Sequence, residues 1–227
     1  MPLDPAVCFQ YPCLVMIPLD NQEHNSFSFR PSWFLTIGLW LVLLGVFINK
    51  GYESDLLSLI YTGESPMAPA WRLITLLGSS YFLGPLVVVI CISLLTKGRG
   101  NSALAFAATW ATCALTVEWL KFLMNRARPP VPLLVFAVGN SFPSGHATQS
   151  MIVYSYIVGL IFMAYSQSSS SVSVVPNRRA MLSSLIFLLP LLIGISRVWL
   201  GAHWPSDVLV GWGLGLMFSA IALSIRY

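Results

Sequence analysis

Residues 73–95 have the sequence LITLLGSSYFLGPLVVVICISLL, with no charged side chain in 23 positions. A helix needs roughly 20 predominantly apolar residues to cross the hydrocarbon core of a bilayer. Proline and glycine, both present here, are also more frequent in membrane helices than in soluble ones. The stretch therefore predicts a transmembrane α-helix.

The rest of the chain has the same character. Of its residues 56% are hydrophobic and only 9% are charged, whereas soluble domains carry about 25% charged residues. Backbone polar groups find no water in hydrocarbon, so each span must close its hydrogen bonds within a helix. The prediction is an all-α fold, a polytopic six-helix transmembrane bundle with spans at 33–49, 73–95, 103–120, 148–165, 181–198 and 208–225.

The domain organisation follows from how little chain lies outside these spans. Residues 1–30 contain four prolines and lack the basic start and apolar core of a cleavable signal peptide, so they predict an irregular or interfacial lead-in. Residues 31–227 predict a single six-span domain. The cysteines match no disulfide framework or zinc spacing and are interpreted as packing residues: Cys8, Cys13, Cys91 and Cys113.

Three polar segments at span ends carry the chemistry: KFLMNRARP at 121–129, FPSGH at 142–146 and SRVWLGAHWPSD at 196–207. Polar and ionisable groups are costly at membrane depth and mark functional sites. A tetrahedral phosphate is gripped by guanidinium forks and by lysine as a point charge. A helix beginning near 145 would add backbone N–H groups and a positive dipole end. The predicted phosphate ligands are Lys121, Arg128, Ser144, Gly145 and Arg197.

Two histidines and one carboxylate predict a division of labour. His203 and Asp207 are four residues apart at the start of the last span, so the carboxylate is expected to accept one ring N–H of His203. The other ring nitrogen is then free to attack phosphorus. His146, distant in sequence, is expected to protonate the leaving oxygen and later to deprotonate water. The predicted catalytic residues are His203, His146 and Asp207, with a phosphohistidine intermediate.

These segments resemble the three-part signature of the type 2 phosphatidic acid phosphatase superfamily, KxxxxxxRP, PSGH and SRxxxxxHxxxD. The positions that match are Lys121, Arg128, Pro129, Pro143 to His146, Ser196, Arg197, His203 and Asp207. The six-span arrangement is similar to the membrane branch of that family. The resemblance implies a metal-independent lipid phosphatase, acting on a phosphomonoester or a diphosphate, with no cofactor and no metal ligands.

The lipid stays open at this point. Phosphatidate, phosphatidylglycerophosphate, undecaprenyl diphosphate and lipid A are all compatible with the motifs, and a lipid phosphotransferase of the same family is the alternative within the class. An anion channel or transporter is the alternative from another class. It predicts charges spread through several spans and broken helices in two repeats, whereas here the charges cluster at span ends. A metal site of two histidines with Asp207 is disfavoured by the three neighbouring cations.

Orientation follows from the bias of Lys and Arg towards cytoplasmic loops. On a six-span path the six basic residues Arg30, Lys97, Arg99, Arg178, Arg179 and Arg226 lie on one side, and Lys50, Arg72, Lys121, Arg126, Arg128 and Arg197 lie on the other. Three of the second group are assigned to the phosphate site, which leaves an excess on the first side. The termini are therefore expected in the cytoplasm and the site on the extracytoplasmic side. The sequence has no Asn-x-Ser/Thr glycosylation acceptor, which favours a bacterial inner membrane protein. The expected partners are a lipid substrate and the bilayer, with no nucleic acid.

Three residue groups outside the signature have other expected roles. Glu118 and Lys121 are three apart on one helix and predict an ion pair, although Glu118 could also face a lipid head group. Arg126, at a span end, is expected to extend to lipid head groups. Gly211 and Gly215, four apart on the last span, predict close helix packing.

Overall fold

The computed structural model describes residues 30–49, 51–166 and 176–225. Over these residues the chain forms eight helices and no strand, as expected for an all-α protein. The predicted lead-in at 1–30 lies outside the described residues except for Arg30. The helices are α1 (Ser32–Ile48), α2 (Glu53–Ile60), α3 (Ala68–Leu76), α4 (Ser80–Thr96), α5 (Gly100–Met124), α6 (Gly145–Ser166), α7 (Pro176–Trp199) and α8 (Pro205–Ser224).

Five helical stretches of the described chain are long and apolar enough to cross a membrane. A sixth arises when α1 and α2, which meet at 102°, are taken together. The predicted membrane bundle is confirmed at five to six candidate spans. These spans are Ala68–Thr96, Gly100–Met124, Gly145–Ala164, Ala180–Trp199 and Pro205–Ser224, with Ser32–Ile48 and Glu53–Ile60 as the bent pair.

The second span differs from its predicted boundaries. It begins at Ala68 rather than at 73, and a turn at 77–79 divides it into α3 and α4. The turn leaves helix-end carbonyls without helical partners, and the hydroxyl of Tyr154 on α6 donates to the carbonyl of Leu77 at 3.2 Å. Gly78 in this turn packs closely on α7, since a Cβ there would lie 2.4 Å from Cγ2 of Ile193.

Helix α8 lies at the centre of the bundle and packs against α1, α5, α6 and α7. Its glycines allow this. A Cβ on Gly215 would lie 2.6 Å from the carbonyl oxygen of Thr148 on α6, and a Cβ on Gly211 would lie 2.9 Å from that of Ser144. Gly213 approaches α1 in the same way, 2.5 Å from the carbonyl oxygen of Gly38. The predicted packing role of Gly211 and Gly215 is confirmed.

Large apolar side chains cover the outside of the bundle. Trp40 is 72% exposed and Phe122 is 78% exposed, and many others on α1, α4, α5 and α7 are similar. Contiguous exposed apolar surface of this kind is rare on soluble monomers. Here it provides the surface that contacts lipid tails.

Four helix ends meet at one end of the bundle. Helices α5 and α7 finish there, and α6 and α8 begin there. The connection from α5 to α6 starts at Asn125, whose left-handed backbone (φ 40°) ends α5. It is joined to the α7–α8 connection by a backbone hydrogen bond from Leu134 to Leu200 at 3.1 Å. All three polar segments of the sequence therefore reach the same place.

Candidate active site

The structure brings the predicted site residues together from six parts of the chain. Lys121 comes from the end of α5, Arg128 from the following connection, and Ser144, Gly145 and His146 from the start of α6. Arg197 lies in the last turn of α7, His203 in the α7–α8 connection and Asp207 in the first turn of α8. The positive charges of Arg197, Lys121 and Arg128 all lie near the His146 ring, and His203 lies close to it as well. The cluster forms a pocket of cations with two imidazoles.

His203 is placed by a tight closure of α7. The amides of Gly201 and Ala202 donate to the carbonyls of Val198 and Arg197 at 2.9 and 3.0 Å, which is the Schellman pattern. Gly201 has φ +70°, and a Cβ there would lie 2.8 Å from the carbonyl oxygen of Pro132. Only glycine suits this position. After this turn the chain folds back towards the last turn of α7, where the amide of His203 donates to the carbonyl of Arg197 at 3.2 Å.

The His203 ring has a defined tautomer. Its Nδ1 lies 2.7 Å from the main-chain carbonyl oxygen of Ser141, so Nδ1 carries the proton and donates it there. The Oδ2 atom of Asp207 is further away, at 3.5 Å from Nδ1. The sequence predicted the carboxylate as the acceptor, but the nearest acceptor is a backbone carbonyl. Nε2 therefore carries the lone pair of the ring.

Burial also keeps the His203 ring neutral. The side chain is 3% exposed, and burial lowers its pKa to about 4. Asp207 opposes this shift, while the charges of Arg197 and Arg128 reinforce it. A neutral imidazole with its proton on Nδ1 presents a nucleophilic Nε2 near neutral pH. That nitrogen lies 3.5 Å from Nη1 of Arg128.

Arg128 is held by backbone carbonyls. Its Nε donates to Gly139 at 3.1 Å, its Nη2 donates to Val138 at 2.7 Å, and its Nη1 donates to Ala202. These contacts fix the guanidinium beside His203 without a carboxylate that would neutralise it. The arrangement suits a preorganised anion contact.

Two donors at the site are among the buried polar atoms that have no partner within the described residues. They are Oγ of Ser144 and Nε of Arg197, in residues that are 0% and 2% exposed. Nη1 of Arg197 donates to Oγ1 of Thr75 at 3.0 Å. Buried polar groups are almost always hydrogen-bonded, so these orphan donors indicate a missing acceptor. The oxygens of a phosphate are acceptors of the kind that these donors lack.

Lys121 and Glu118 form the predicted ion pair, at 2.7 Å between Nζ and Oε1. Glu118 is largely exposed, with 70% of its side chain accessible, whereas the Lys121 side chain is 21% exposed. Gly145 at the start of α6 lies beside Nζ of Lys121. A Cβ added to this glycine would lie 3.8 Å from that nitrogen. The ammonium therefore stands at the N-terminus of α6, on the rim of the cation pocket.

Arg126 does not have the predicted lipid contact. Its guanidinium points inward and donates to Oδ1 of Asp207 at 2.6 Å, to Oγ of Ser206 at 2.8 Å and to Glu53. The expectation that it reaches lipid head groups is wrong, because buried carboxylates bind it more strongly than the interface would. Sequence analysis also missed Glu53 and Ser141. Neither belongs to a motif, and only the fold places them at the site.

Metal ligation has little support in the residues present. Within the described ranges, no three His, Cys, Asp or Glu side chains come together in a way that could hold a metal ion. The groups beside the two histidines are Arg128, Arg197 and Lys121. Such a cluster has the charge to bind an anion.

The chain is similar to proteins that are named as phosphatases. Phosphatidylglycerophosphatase B of Bacillus subtilis is 33% identical over 144 residues, covering 63% of this chain and 68% of that protein. Undecaprenyl-diphosphatase of Sulfolobus acidocaldarius is 26% identical over 200 residues, covering 85% and 87%. The crystal structure of a transmembrane PAP2-type phosphatidylglycerolphosphate phosphatase from Bacillus subtilis superimposes with a TM-score of 0.69 at 26% identity, covering 86% of this chain and 94% of that one.

The family itself follows from the part of the chain that carries the site. The PAP2 superfamily model matches residues 102–227, more than half of the sequence. That region contains every motif residue from Lys121 to Asp207 and the four helix ends that bring them together. With its helices, its cation pocket and its relatives in agreement, the chain belongs to the PAP2 superfamily.

Proposed function

We propose that this chain is an integral membrane lipid phosphatase that cleaves a phosphomonoester or diphosphate through a phosphohistidine on His203. One observation carries the proposal most directly. The unprotonated Nε2 of His203 faces Arg128, in a pocket where Ser144 and Arg197 hold unpartnered donors. An anion that satisfies those donors stands within reach of the nucleophile. The relatives, a phosphatidylglycerophosphatase and an undecaprenyl-diphosphatase by name, support a lipid substrate.

The first half-reaction transfers the phosphoryl group to the protein. The lone pair on Nε2 of His203 forms the N–P bond while the P–O bond to the lipid breaks. Arg128, Arg197 and Lys121 stabilise the charge on the phosphoryl oxygens. His146 donates its proton to the leaving oxygen. The dephosphorylated lipid then leaves.

The second half-reaction regenerates the enzyme. His146, now neutral, accepts a proton from a water molecule, whose oxygen attacks phosphorus as the N–P bond breaks. Within the described chain no hydrogen bond engages the His146 ring, so both of its nitrogens are available for this exchange. Inorganic phosphate is the product. An acceptor lipid in place of water would make the same site a phosphotransferase. Labelled phosphate would then appear on a lipid rather than as inorganic phosphate.

The orientation of the site is part of the proposal. The site lies at the end of the bundle where α6 and α8 begin. The basic turn at 97–99 precedes α5, and Arg178 lies near the start of α7. Both of these helices run towards the site, so the basic residues lie at the opposite end of the bundle. By the positive-inside rule the basic turns are cytoplasmic and the site faces the extracytoplasmic side. The relatives from bacteria support a bacterial inner membrane.

The nucleophile provides the test of function. Phosphate release from purified phosphatidate, phosphatidylglycerophosphate, prenyl diphosphates and lipid A should identify at least one substrate. His203→Ala should lower its turnover on the order of 10⁴-fold or more, the scale of losing an enzyme nucleophile. Acid quench of the native enzyme with ³²P-labelled substrate should trap an acid-labile phosphoprotein. Release from none of these lipids, or normal turnover in folded His203→Ala, would contradict the proposal.

The general acid gives a second prediction. His146→Ala should lower turnover of phosphate esters with alkyl leaving groups by about 10²–10⁴-fold, the usual contribution of a general acid. Turnover of 4-nitrophenyl phosphate should fall much less, because its leaving group needs no protonation. Comparing kcat on the two substrates measures the difference. Equal losses on both would remove His146 from this role.

Metal independence gives a third prediction. Because three cationic side chains already supply positive charge, EDTA should leave phosphate release unchanged. Vanadate should inhibit competitively, since it adopts the trigonal bipyramidal geometry of the transferring phosphoryl group. Activity lost to EDTA and restored by a single divalent ion would instead require a metal in the reaction.

The orientation gives a fourth prediction. Reporter fusions after Lys97, within residues 168–171 and at Tyr227 should be active only as cytoplasmic reporters. Insertions between Pro130 and Gly139 should be accessible from outside the cell. Alkaline phosphatase and green fluorescent protein fusions provide the two readouts. The reverse pattern would place the chemistry at the cytoplasmic leaflet.

A further inference from the structure

A buried acid next to the site lies outside all three motifs. Glu53, the first residue of α2, is 9% exposed. Its carboxylate contacts Nη2 of Arg126 and accepts a hydrogen bond from the hydroxyl of Ser206. Oε1 also accepts from the amide of Ser206 at 3.3 Å. A buried carboxylate is costly unless it is paired. Here it is paired on both oxygens, and one of its partners lies next to Asp207.

Arg126 carries this contact on to Asp207. While Nη2 faces Glu53 and Oδ1 of Asn49, Nη1 donates to Oδ1 of Asp207 at 2.6 Å. The guanidinium also lies 5.5 Å from the centre of the Trp204 ring. A planar guanidinium held on both sides has one orientation. Helices α1, α2 and α8 therefore position one cation.

Arg126 is one of three donors that hold the orientation of the Asp207 carboxylate, with Ser141 and the Trp204 amide. Arg126 occupies Oδ1, which leaves Oδ2 for Oγ of Ser141, the amide of Trp204 at 3.0 Å and Nδ1 of His203 at 3.5 Å. Phosphorylation of Nε2 gives the His203 ring a positive charge, which Oδ2 then faces. A carboxylate free to rotate would lose this alignment.

The net negative charge that acts on His203 also depends on Glu53. Arg126 alone would cancel much of the negative potential that Asp207 exerts on His203. Glu53 stands on the other side of the guanidinium and compensates it, so the line Glu53, Arg126 and Asp207 keeps one net negative charge. In a buried site such charges are weakly screened. The acid on α2 thus supports the imidazolium that forms at a distance from it.

We propose that Glu53 and Arg126 are positioning residues for the reaction, which align Asp207 and preserve its charge so that His203 accepts the phosphoryl group. The proposal rests on the proposed function, since it assigns the pair a role in the same half-reaction. Neither residue contacts the phosphate. Their effect should therefore fall on kcat rather than on substrate binding.

The test uses the full-length enzyme with the best substrate of the lipid panel. Glu53→Gln should lower kcat by about 10–100-fold, the range for outer partners that orient active-site ligands, and leave KM unchanged. The matched control is Asp55→Asn, an exposed acid two residues along the same helix, which should have native kcat and KM. The amount of acid-labile phosphoprotein is divided by the amount of folded protein, which size-exclusion chromatography measures. The burst of this phosphoprotein should form more slowly in Glu53→Gln.

The double variant tests whether Glu53 acts through Arg126. Arg126→Gln should lower kcat at least as much as Glu53→Gln. Adding Glu53→Gln to Arg126→Gln should cause little further loss, because residues in one network are not additive. If Glu53→Gln does not fold, Arg126→Gln alone still reports the loss of kcat at unchanged KM.

Three results would overturn the proposal. They are native kcat in folded Glu53→Gln, losses that multiply in the double variant, and a variant whose only defect is a smaller folded fraction with a native burst rate. The proposed function fails separately, through normal turnover in His203→Ala. An inactive His203→Ala beside a normal Glu53→Gln would reject only the positioning role.

Discussion

The site depends on the contacts of one buried group, the carboxylate of Asp207. It is fully buried, so the loss of a partner would leave an uncompensated buried charge, which is strongly destabilising. It caps the first turn of α8 through the Trp204 amide, binds the hydroxyl of Ser141 from the α5–α6 connection and pairs with Arg126. The central helix, two connections and His203 are thereby positioned by one charged group.

The charge and placement of the cations at the site suit the binding of an anion. Arg128 is fixed by main-chain carbonyls, and Nε of Arg197 has no hydrogen-bond partner in the part of the chain that the structure describes. Lys121 stands at the start of α6, where helix dipole and ammonium add. Holding such charges together costs repulsion in the free protein. A bound phosphate offsets that cost, because it satisfies the donors and the charge at once.

The membrane explains the division between the two faces of the helices. Outward faces carry large exposed apolar residues such as Trp40 and Phe122, which need no specific partner in lipid. Inward faces carry small residues that let backbones approach, as Gly211, Gly213 and Gly215 do on α8. Close packing of α8 on α6 also places the start of each helix beside the other, where the proposed anion contacts lie.

The sequence alone determined the membrane class, the helical fold and the identity of the motif residues, because hydropathy over about 20 residues and the spacing of charged groups at span ends are local properties. It also determined the close contacts of Gly211 and Gly215. Only the tertiary structure decided that the Ser141 carbonyl, rather than Asp207, is the nearest acceptor for His203, and that Arg126 turns inward to Glu53. These contacts join residues that are 62 and 73 positions apart. No local pattern encodes such distances, because the partners meet only after α2, α5, α6 and α8 have packed.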